Sequence, residues 1–149
     1  MVSRTTNKIG FKKNRPGKLL GFTDIPTSKR MSGVRRNDTA AELLVRQIAY
    51  ALGLRYRITN KDLVGSPDLA NRTRLWAVFV HGCFWHRHEG CVRTTTPTRN
   101  RQFWLTKFAT NVRRDRRATD TLRKLGWRVV VIWECQSEAQ IRARLRRLM

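Results

Sequence analysis

An apolar run, Leu75-Trp76-Ala77-Val78-Phe79-Val80, leads without a break into His81-Gly82-Cys83-Phe84-Trp85-His86-Arg87-His88-Glu89-Gly90-Cys91. The run has strong β propensity, and a strand that is apolar on both faces belongs in the centre of a sheet. The segment after it, residues 81–91, holds all three histidines and two of the three cysteines of the chain. We call it the His/Cys segment. Scattered core residues would not cluster in this way.

Patterns on both sides of the His/Cys segment predict an α/β fold, with a central mixed sheet flanked by helices. A capping box at residues 39–42 opens a helix that ends at Gly53. A second capping box at 137–140 opens a last helix through Leu148. The long helical pattern between Thr98 and Leu125 is either continuous or broken near Ala109-Thr110. The predicted strands are 56–59, 68–70, 75–80 and 127–133, with a hairpin turn at 71–74.

The net charge is +22, because 32 Lys and Arg stand against 10 Asp and Glu. A compact domain with this charge repels itself unless a polyanion neutralises it, so nucleic acid is the expected partner. Composition alone leaves two readings open. One is RNA binding or a non-specific basic surface, and the other is a DNA enzyme whose phosphate contacts are mostly Arg. No apolar run has the length of a membrane helix, and no membrane partner is expected.

Two regions are predicted along the chain. Residues 1–36 form a basic arm punctuated by Gly and Pro, of the kind that orders on phosphate, and residues 37–149 form the folded domain. Residues 1–15 lack the apolar region of a secretory signal, so we expect a cytoplasmic, nucleoid-associated protein.

The Cys and His residues have the composition of a structural zinc site, which takes four ligands in a tetrahedron. Cys83, His88 and Cys91 lie close together, and Cys135 follows the last predicted strand. If the strands at 75–80 and 127–133 are neighbours, Cys135 completes a Cys3His set. His86 competes with His88 as the ligand, and spacing does not separate them. The alternative is three reduced cysteines in a core beside surface histidines.

Two carboxylates are candidates for a catalytic metal. Mg²⁺ is typically held by one or two carboxylates, waters and substrate phosphate, and phosphodiester cleavage needs such an ion. Asp68 follows Pro67 at the start of a strand, and Glu42 lies in the first turn of the first helix. Standing alone, Asp68 would be read as a turn residue and Glu42 as the capping-box partner of Thr39.

The order of several motifs resembles the Vsr family, the very short patch repair endonucleases that nick DNA at T:G mismatches. The most specific pieces are His81-Gly82-Cys83-Phe84-Trp85-His86 and Trp133-Glu134-Cys135. Together with the other pieces, the resemblance covers about the last four fifths of the chain. The other matching pieces are Arg30-Met31-Ser32, Asp38-Thr39-Ala40 with Glu42, Pro67-Asp68, Arg99 with Phe103-Trp104 and Lys107, Asn111 with Arg114-Asp115, and Leu125-Gly126-Trp127-Arg128-Val129.

The resemblance implies a restriction-endonuclease-like fold with a structural zinc and a catalytic Mg²⁺. Asp68 is implied as the metal-binding carboxylate, with Glu42 in the outer shell and the main-chain carbonyl of Val80 in the inner shell. His86 is implied as the general base, and Asp115 as the group that orients it. The remaining implied roles are His81 at the scissile phosphate and Cys83, His88, Cys91 and Cys135 at the zinc.

The chemistry of these residue types agrees with the implied roles. An imidazole titrates near neutral pH, and a carboxylate partner fixes its tautomer and raises its basicity. Whether His86 or His81 is the main base stays open.

Aromatic and polar residues near the His/Cys segment are implied to contact the DNA. The resemblance implies that Phe84, Trp85 and Trp104 insert into the base stack, as apolar wedges do. It places Met31 on the minor-groove side. Lys107 and Asn111, four residues apart on one helical face, are candidates to read the mismatched pair. Core packing is the alternative for the aromatic residues, and a solvated helix face is the alternative for Lys107 and Asn111.

The predicted function is therefore a metal-dependent nicking endonuclease that cleaves double-stranded DNA next to the thymine of a T:G mismatch, as a monomer, to start very short patch repair. Repair proteins are conceivable partners that the sequence does not identify. Val80 stands where relatives commonly have threonine, and Glu89-Gly90 lengthens the loop before Cys91. The alternatives are a nuclease with another mismatch or modified-DNA specificity and a zinc-stabilised DNA-binding module without cleavage.

Overall fold

The computed structural model describes residues 38–149. The predicted arm at residues 1–36, including Met31, lies outside the described residues. No helix in the described range is long and apolar enough to cross a membrane. In chain order, the elements are α1 Ala40–Ala51, β1 Leu69–Asn71, β2 Trp76–His81, α2 Cys83–His86, α3 Arg101–Lys124, β3 Arg128–Trp133 and α4 Glu138–Arg146.

The sheet is mixed, as predicted, and its strand order is β1-β2-β3. Strand β1 pairs antiparallel with β2 through the tight turn at 71–74, in which the Asn71 side chain accepts a hydrogen bond from the Arg74 amide at 2.8 Å. Strands β2 and β3 run parallel, from Trp76 opposite Arg128 to His81 opposite Trp133. The apolar run is thus the central strand. Because parallel neighbours end at the same edge, the His/Cys segment emerges beside the residues that follow β3.

The strand predicted at residues 56–59 is wrong. Only Arg57 pairs with the sheet, as an isolated bridge to Ala70. The chain then turns away, because the Asn60 side chain donates hydrogen bonds to the carbonyls of Arg57, at 2.8 Å, and Pro67, at 3.1 Å. A local turn therefore overrides the β propensity of the short segment.

Two hydrophobic layers cover the sheet, one on each face. Side chains alternate along a strand, so Trp76 and Val78 pack towards α1 and α4, while Ala77 and Phe79 pack towards α3. The first layer includes Val45, Ile48, Leu69, Ile132, Ile141 and Leu145, and the second includes Ala70, Ala118 and Leu122. The helices flank the sheet as predicted.

The predicted helices form, and α3 runs through without the break considered near Ala109-Thr110. One face of α3 stays buried along its length, through Trp104, Phe108, Ala118 and Leu122, and this packing holds both halves in line. Ser137 and Gln140 make the complete capping box predicted for the last helix. Thr39 caps α1, and Gly53 lies beyond its end with a φ of +73°.

The start of β1 completes this edge of the sheet. Because β1 is antiparallel to β2, Asp68, just before β1, lies beside the end of β2. Its Oδ2 accepts a hydrogen bond from the Val80 amide at 2.6 Å. Strand pairing therefore brings Asp68, His81 and Glu134 to one edge, although 66 positions separate the first from the last.

Candidate active site and Cys/His cluster

A cleft of about 980 Å³ opens at this edge of the sheet. It lies between α1 on one side and α2 with α3 on the other. Most of the residues predicted for catalysis and DNA contact line it together. They are Glu42, Asp68, Val80, His81, Trp85, His86, Trp104, Lys107, Asn111 and Asp115.

One wall of the cleft carries two carboxylates. Burial, together with the nearby charge of Glu42, raises the pKa of Asp68 from 3.8 to about 6, although the hydrogen bond from the Val80 amide opposes the shift. Two negative groups in a partly dry cleft repel each other, and a cation would relieve this repulsion. The electrostatics of this wall therefore favour metal binding.

Glu42 is buried, and its carboxylate is held on several sides. Oε2 accepts a hydrogen bond from the Asp38 amide at 2.9 Å, and Oε1 accepts one from the Thr39 hydroxyl at 3.0 Å. Arg46, one turn further along α1, ion-pairs with Glu42 at 3.5 Å and with Asp38 at 2.6 Å. The capping box predicted for Thr39 and Glu42 is therefore only half formed: Thr39 accepts from the Glu42 amide, but the Glu42 carboxylate reaches the Asp38 amide rather than the Thr39 amide and lines the cleft.

Two stacked imidazoles and a carboxylate form the opposite wall. His86 Nδ1 lies 2.5 Å from Asp115 Oδ2 on α3. The rings of His81 and His86 stack with their centroids 4.0 Å apart and 9° between their planes. Asp115 therefore fixes the orientation of the His86 ring.

The two partners of His86 have shifted pKa values. Burial, reinforced by the proximity of His86, lowers the pKa of His81 from 6.5 to about 4, so His81 is neutral at physiological pH. Burial acts to raise the pKa of Asp115, but the hydrogen bond and charge of His86 outweigh burial, and the net pKa is lowered. Asp115 is an anion, as an orienting partner must be.

A second cluster lies on the outer side of the His/Cys segment and consists of Cys83, His88, Cys91 and Cys135. One ligand atom from each lies within 4.8 Å of the others, as in a metal-binding group. His88 Nδ1 is 3.6 Å from Cys83 Sγ and 3.2 Å from Cys135 Sγ. His86 instead faces Asp115, so it is His88, and not His86, that lies beside the three cysteines.

Half-buried and buried aromatic rings fill the space between α2 and α3. Phe84 meets Trp85, Trp104 and Phe108 edge-on, with centroid distances of 5.1, 5.8 and 5.1 Å. Phe84 and Trp85 keep part of their surface exposed, whereas Trp104 is buried. The predicted wedge residues thus differ in how easily each reaches a partner.

The two polar candidates for base reading also differ. Lys107 is exposed at the cleft. Asn111 is buried, and its Nδ2 donates a hydrogen bond to the Trp85 carbonyl at 3.1 Å. That bond fixes the Asn111 side chain at the cleft wall.

Sequence reasoning missed two residues that join the two clusters. Glu134 lines the cleft, and its Oε1 accepts a hydrogen bond from the Cys83 amide at 2.9 Å. Trp133 stacks on the His88 ring at 4.3 Å and meets His81 edge-on at 5.3 Å. Both residues stand in the Trp133-Glu134-Cys135 motif, which was assigned a function only through its cysteine. The parallel pairing of β2 and β3 was the signal that pointed to them.

Arg46 was missed as well. It lies four residues after Glu42, a spacing that puts both side chains on one helical face. This spacing was a usable signal for a cation beside the cleft carboxylates.

Comparison with known proteins gives a consistent picture. The sequence model of a family described as DNA mismatch endonuclease Vsr matches residues 21–93. The type II nicking enzyme V.NmeAIP of Neisseria meningitidis is 41% identical over 134 residues, which cover 86% of this chain and 95% of that enzyme. Two further relatives agree with it.

The DNA mismatch endonuclease Vsr of Escherichia coli is 40% identical over 108 residues, which cover 72% of this chain and 69% of that protein. The type II nicking enzyme V.XorIIP of Xanthomonas oryzae is 39% identical over 121 residues, or 80% of this chain and 88% of that enzyme.

Proposed function

The chain belongs to the Vsr family and is a DNA-cleaving nuclease, and from this premise we propose that it nicks double-stranded DNA next to the thymine of a T:G mismatch. The observation that carries the proposal is the cleft, which sets His86, oriented by Asp115, opposite the carboxylates of Asp68 and Glu42. A base and a metal-binding wall that face each other suit hydrolysis of one phosphodiester bond. In this role the enzyme acts as a monomer and starts very short patch repair.

The carboxylate wall fits a divalent cation, and we assign Mg²⁺ to it. Asp68 would hold the ion with the main-chain carbonyl of Val80, and Glu42 would act through the outer shell. The fit rests on the raised pKa of Asp68, whose causes are burial and the charge of Glu42. When bound, such an ion stabilises the charge that develops on the phosphate and lowers the pKa of the attacking water. Arg46 pairs with Glu42 and holds its carboxylate in place.

The histidine wall supplies proton transfer. His86 takes the proton of the water, because its Nδ1 is engaged by Asp115 and its Nε2 is left as the acceptor. His81 is neutral and stacked on His86, so it contributes a hydrogen bond at the scissile phosphate rather than a charge. This division of roles makes His86 the main base.

The Cys/His cluster fits a structural Zn²⁺. Bond lengths of about 2.3 Å to sulfur and about 2.0 Å to nitrogen in a tetrahedron give S–N separations of about 3.5 Å. The separations to His88 Nδ1 are 3.6 and 3.2 Å. Burial, with hydrogen bonds to Cys135 and Cys91, raises the pKa of Cys83 to about 12, so ion binding would release its proton. The ion would tie the His/Cys segment to the end of β3.

The aromatic residues and the polar pair supply DNA distortion and recognition. Phe84 and Trp85 would enter the base stack first, because they are already partly exposed. Trp104 would follow only if the edge-on contacts of Phe84 open. Lys107 would read the mismatched pair from an exposed position, and Asn111 would use its carbonyl oxygen, because its amide is bound to Trp85. Met31 and residues 1–36 would grip the minor-groove side.

The layered fold is compatible with the restriction-endonuclease type. A mixed sheet lies between helices, and the candidate carboxylate stands at the strand end that borders the cleft. We therefore extend the proposal to that fold class.

A nicking assay on a panel of mismatched duplexes tests the proposal. The purified protein should nick the thymine strand of a T:G duplex when Mg²⁺ is present. Asp68→Ala should abolish nicking and retain DNA binding. Asp62→Ala is the matched control, because Asp62 is an exposed carboxylate outside the cleft lining that pairs with Arg72. Full activity of Asp68→Ala would overturn the catalytic assignment. Equal nicking of every mismatch would overturn the T:G specificity alone.

A further inference from the structure

Helix α3 carries a row of basic side chains that begins in the cleft and continues beyond it. Lys107 and Arg114, seven residues apart, line the cleft. Arg117 and Lys124, also seven apart, follow on the same side of the helix, and all four are exposed. At about 100° per residue, the four positions turn through about 100° from Lys107 to Lys124, so the row follows one face of α3 that winds slowly from the cleft towards solvent. We call these four residues the α3 basic row.

The basic residues of α3 differ in how far they are neutralised. Next to the distal half of the row, Arg116 and Arg123 both ion-pair with Asp120, at 4.0 and 3.5 Å. Within residues 38–149, no ion pair involves Lys107, Arg117 or Lys124. The row thus keeps positive charge available, whereas Arg116 and Arg123 share one carboxylate, which offsets one of their two charges.

The row is also continuous with the floor of the cleft. The loop that leads to Asp68 packs on the buried face of α3, where a Cβ placed on Gly65 would lie 2.5 Å from the Cβ of Ala118, four residues after Arg114. Gly65 lines the cleft together with Lys107 and Arg114. DNA that reaches Asp68 therefore passes beside the cleft end of the α3 basic row.

We propose that the α3 basic row is a phosphate-binding track for the duplex that flanks the nicked site. From Lys107 to Lys124 the helix rises about 26 Å, which corresponds to about eight base pairs of duplex. Phosphate contacts by Arg114, Arg117 and Lys124 position the enzyme and read no bases, while Lys107, at the cleft end of the row, keeps the base-reading role proposed above. The inference rests on the chain being a DNA nuclease and is independent of the mismatch that it recognises.

The test compares two double variants that remove the same charge from the same helix. Arg117→Gln with Lys124→Gln removes the distal half of the row. Arg116→Gln with Arg123→Gln, the matched control, removes the two arginines that pair with Asp120. Each binds labelled duplexes in anisotropy titrations over a range of NaCl concentrations, with no divalent ion added. One duplex extends about 12 base pairs on both sides of the site, and two others are cut to about four base pairs on one side or the other.

On the long duplex, the row variant should bind about 10- to 30-fold more weakly at about 0.15 M salt, with a salt slope smaller by about 1.8. The control should lose less than about threefold, because Asp120 already offsets one of its two charges and both arginines lie further round the helix from the cleft. On one of the two shortened duplexes the row variant should bind as tightly as the unmodified protein. The nicking rate at saturating duplex should not change for either variant.

Equal losses in the two variants would overturn the inference, since they would indicate a diffuse charge effect. So would an unchanged affinity of the row variant or a loss that persists on both shortened duplexes. Fully matched duplexes of the same lengths separate this result from the proposed function. If the protein nicks no T:G mismatch but the row effect appears on matched DNA, the proposed specificity fails and the track stands.

Discussion

The His/Cys segment contributes to two clusters of different character. Cys83, His88 and Cys91 point to one side, where Cys135 completes a set of sulfur and nitrogen ligands. His81 and His86 point to the cleft, where the Asp115 carboxylate completes the second set. One cluster is closed by the chain just after β3 and the other by the middle of α3. Alternation along 11 residues thus separates a set suited to a structural ion from a set suited to proton transfer.

The difference shows how so few residues can serve both folding and chemistry. Soft ligands that satisfy each other leave no open position, as in structural metal sites. The cleft cluster instead faces two more carboxylates across open space. Substitutions in the Cys/His cluster should therefore lower mainly the stability of the fold, and substitutions in the cleft cluster should lower mainly the nicking rate.

Of the substitutions that compare the two clusters, Asp115→Asn should have the largest effect on rate, a fall in nicking of about 100-fold, because the His86 ring loses its charged orienting partner. Thermal stability should change little. Asp120→Asn, five residues along the same helix and outside the cleft, is the control and should nick normally. Single-turnover rates and thermal melts separate the two clusters, and an unaffected Asp115→Asn would remove Asp115 from the site.

Cys135→Ser should act on stability. Elemental analysis should find about one zinc per chain in the unmodified protein and much less in the variant. A stability loss of about 3 kcal/mol would lower the melting temperature by about 10 °C for a chain of this size. If the variant keeps its melting temperature but loses its single-turnover rate at low temperature, the Cys/His cluster contributes to the chemical step and the assignment of a purely structural role is wrong.

Glu134 lies between the clusters and sharpens the comparison. Glu134→Ala removes the acceptor of the Cys83 amide and should lower nicking about tenfold, because α2 carries both a cluster cysteine and His86. Glu134→Gln keeps an oxygen acceptor and should recover most of the rate. Equal losses in both variants would mean that the charge of Glu134 matters, rather than its hydrogen bond.

The pH dependence of metal use should show the smallest effect. Because the pKa of Asp68 is raised to about 6, protonation competes with metal binding as the pH falls below that value. The Mg²⁺ concentration for half-maximal nicking should be about tenfold higher at pH 5 than at pH 7. The pH dependence of folding stability has the opposite sign to that of metal binding. A carboxyl with a raised folded-state pKa contributes stability at acidic pH that is lost as the pH rises from about 4 to about 6.

A metal-free comparison checks that sign. The melting temperature of the unmodified protein, relative to Asp68→Asn, should fall between pH 4 and pH 6. A rise over the same interval would contradict the assigned pKa.

The sequence anticipated much of the fold, for identifiable reasons. The apolar run at 75–80 carries enough β propensity and apolar surface to be assigned as a central strand. The capping box at Ser137 defines its helix through local hydrogen bonds. The segment at 56–59 shows the limit, because two hydrogen bonds from the Asn60 side chain turn the chain away before a strand forms.

The Vsr-type motifs gave the residue set of the site but left its contacts undetermined. Spacing alone did not separate His86 from His88, and no local pattern identified Glu134. These residues are defined by partners: His86 by Asp115, 29 positions away, and Glu134 by Cys83, 51 positions away.

By itself, the sequence determined the central strand, the caps, the charge and the clustering of His and Cys, because each depends on neighbouring residues or on composition. Only the tertiary structure decided which histidine faces the cysteines, which carboxylates share the cleft and which basic residues of α3 keep their charge free. Those outcomes depend on the parallel pairing of β2 with β3 and on the packing of α3 across the sheet. Such contacts join residues far apart in the chain, and no local pattern encodes their distances.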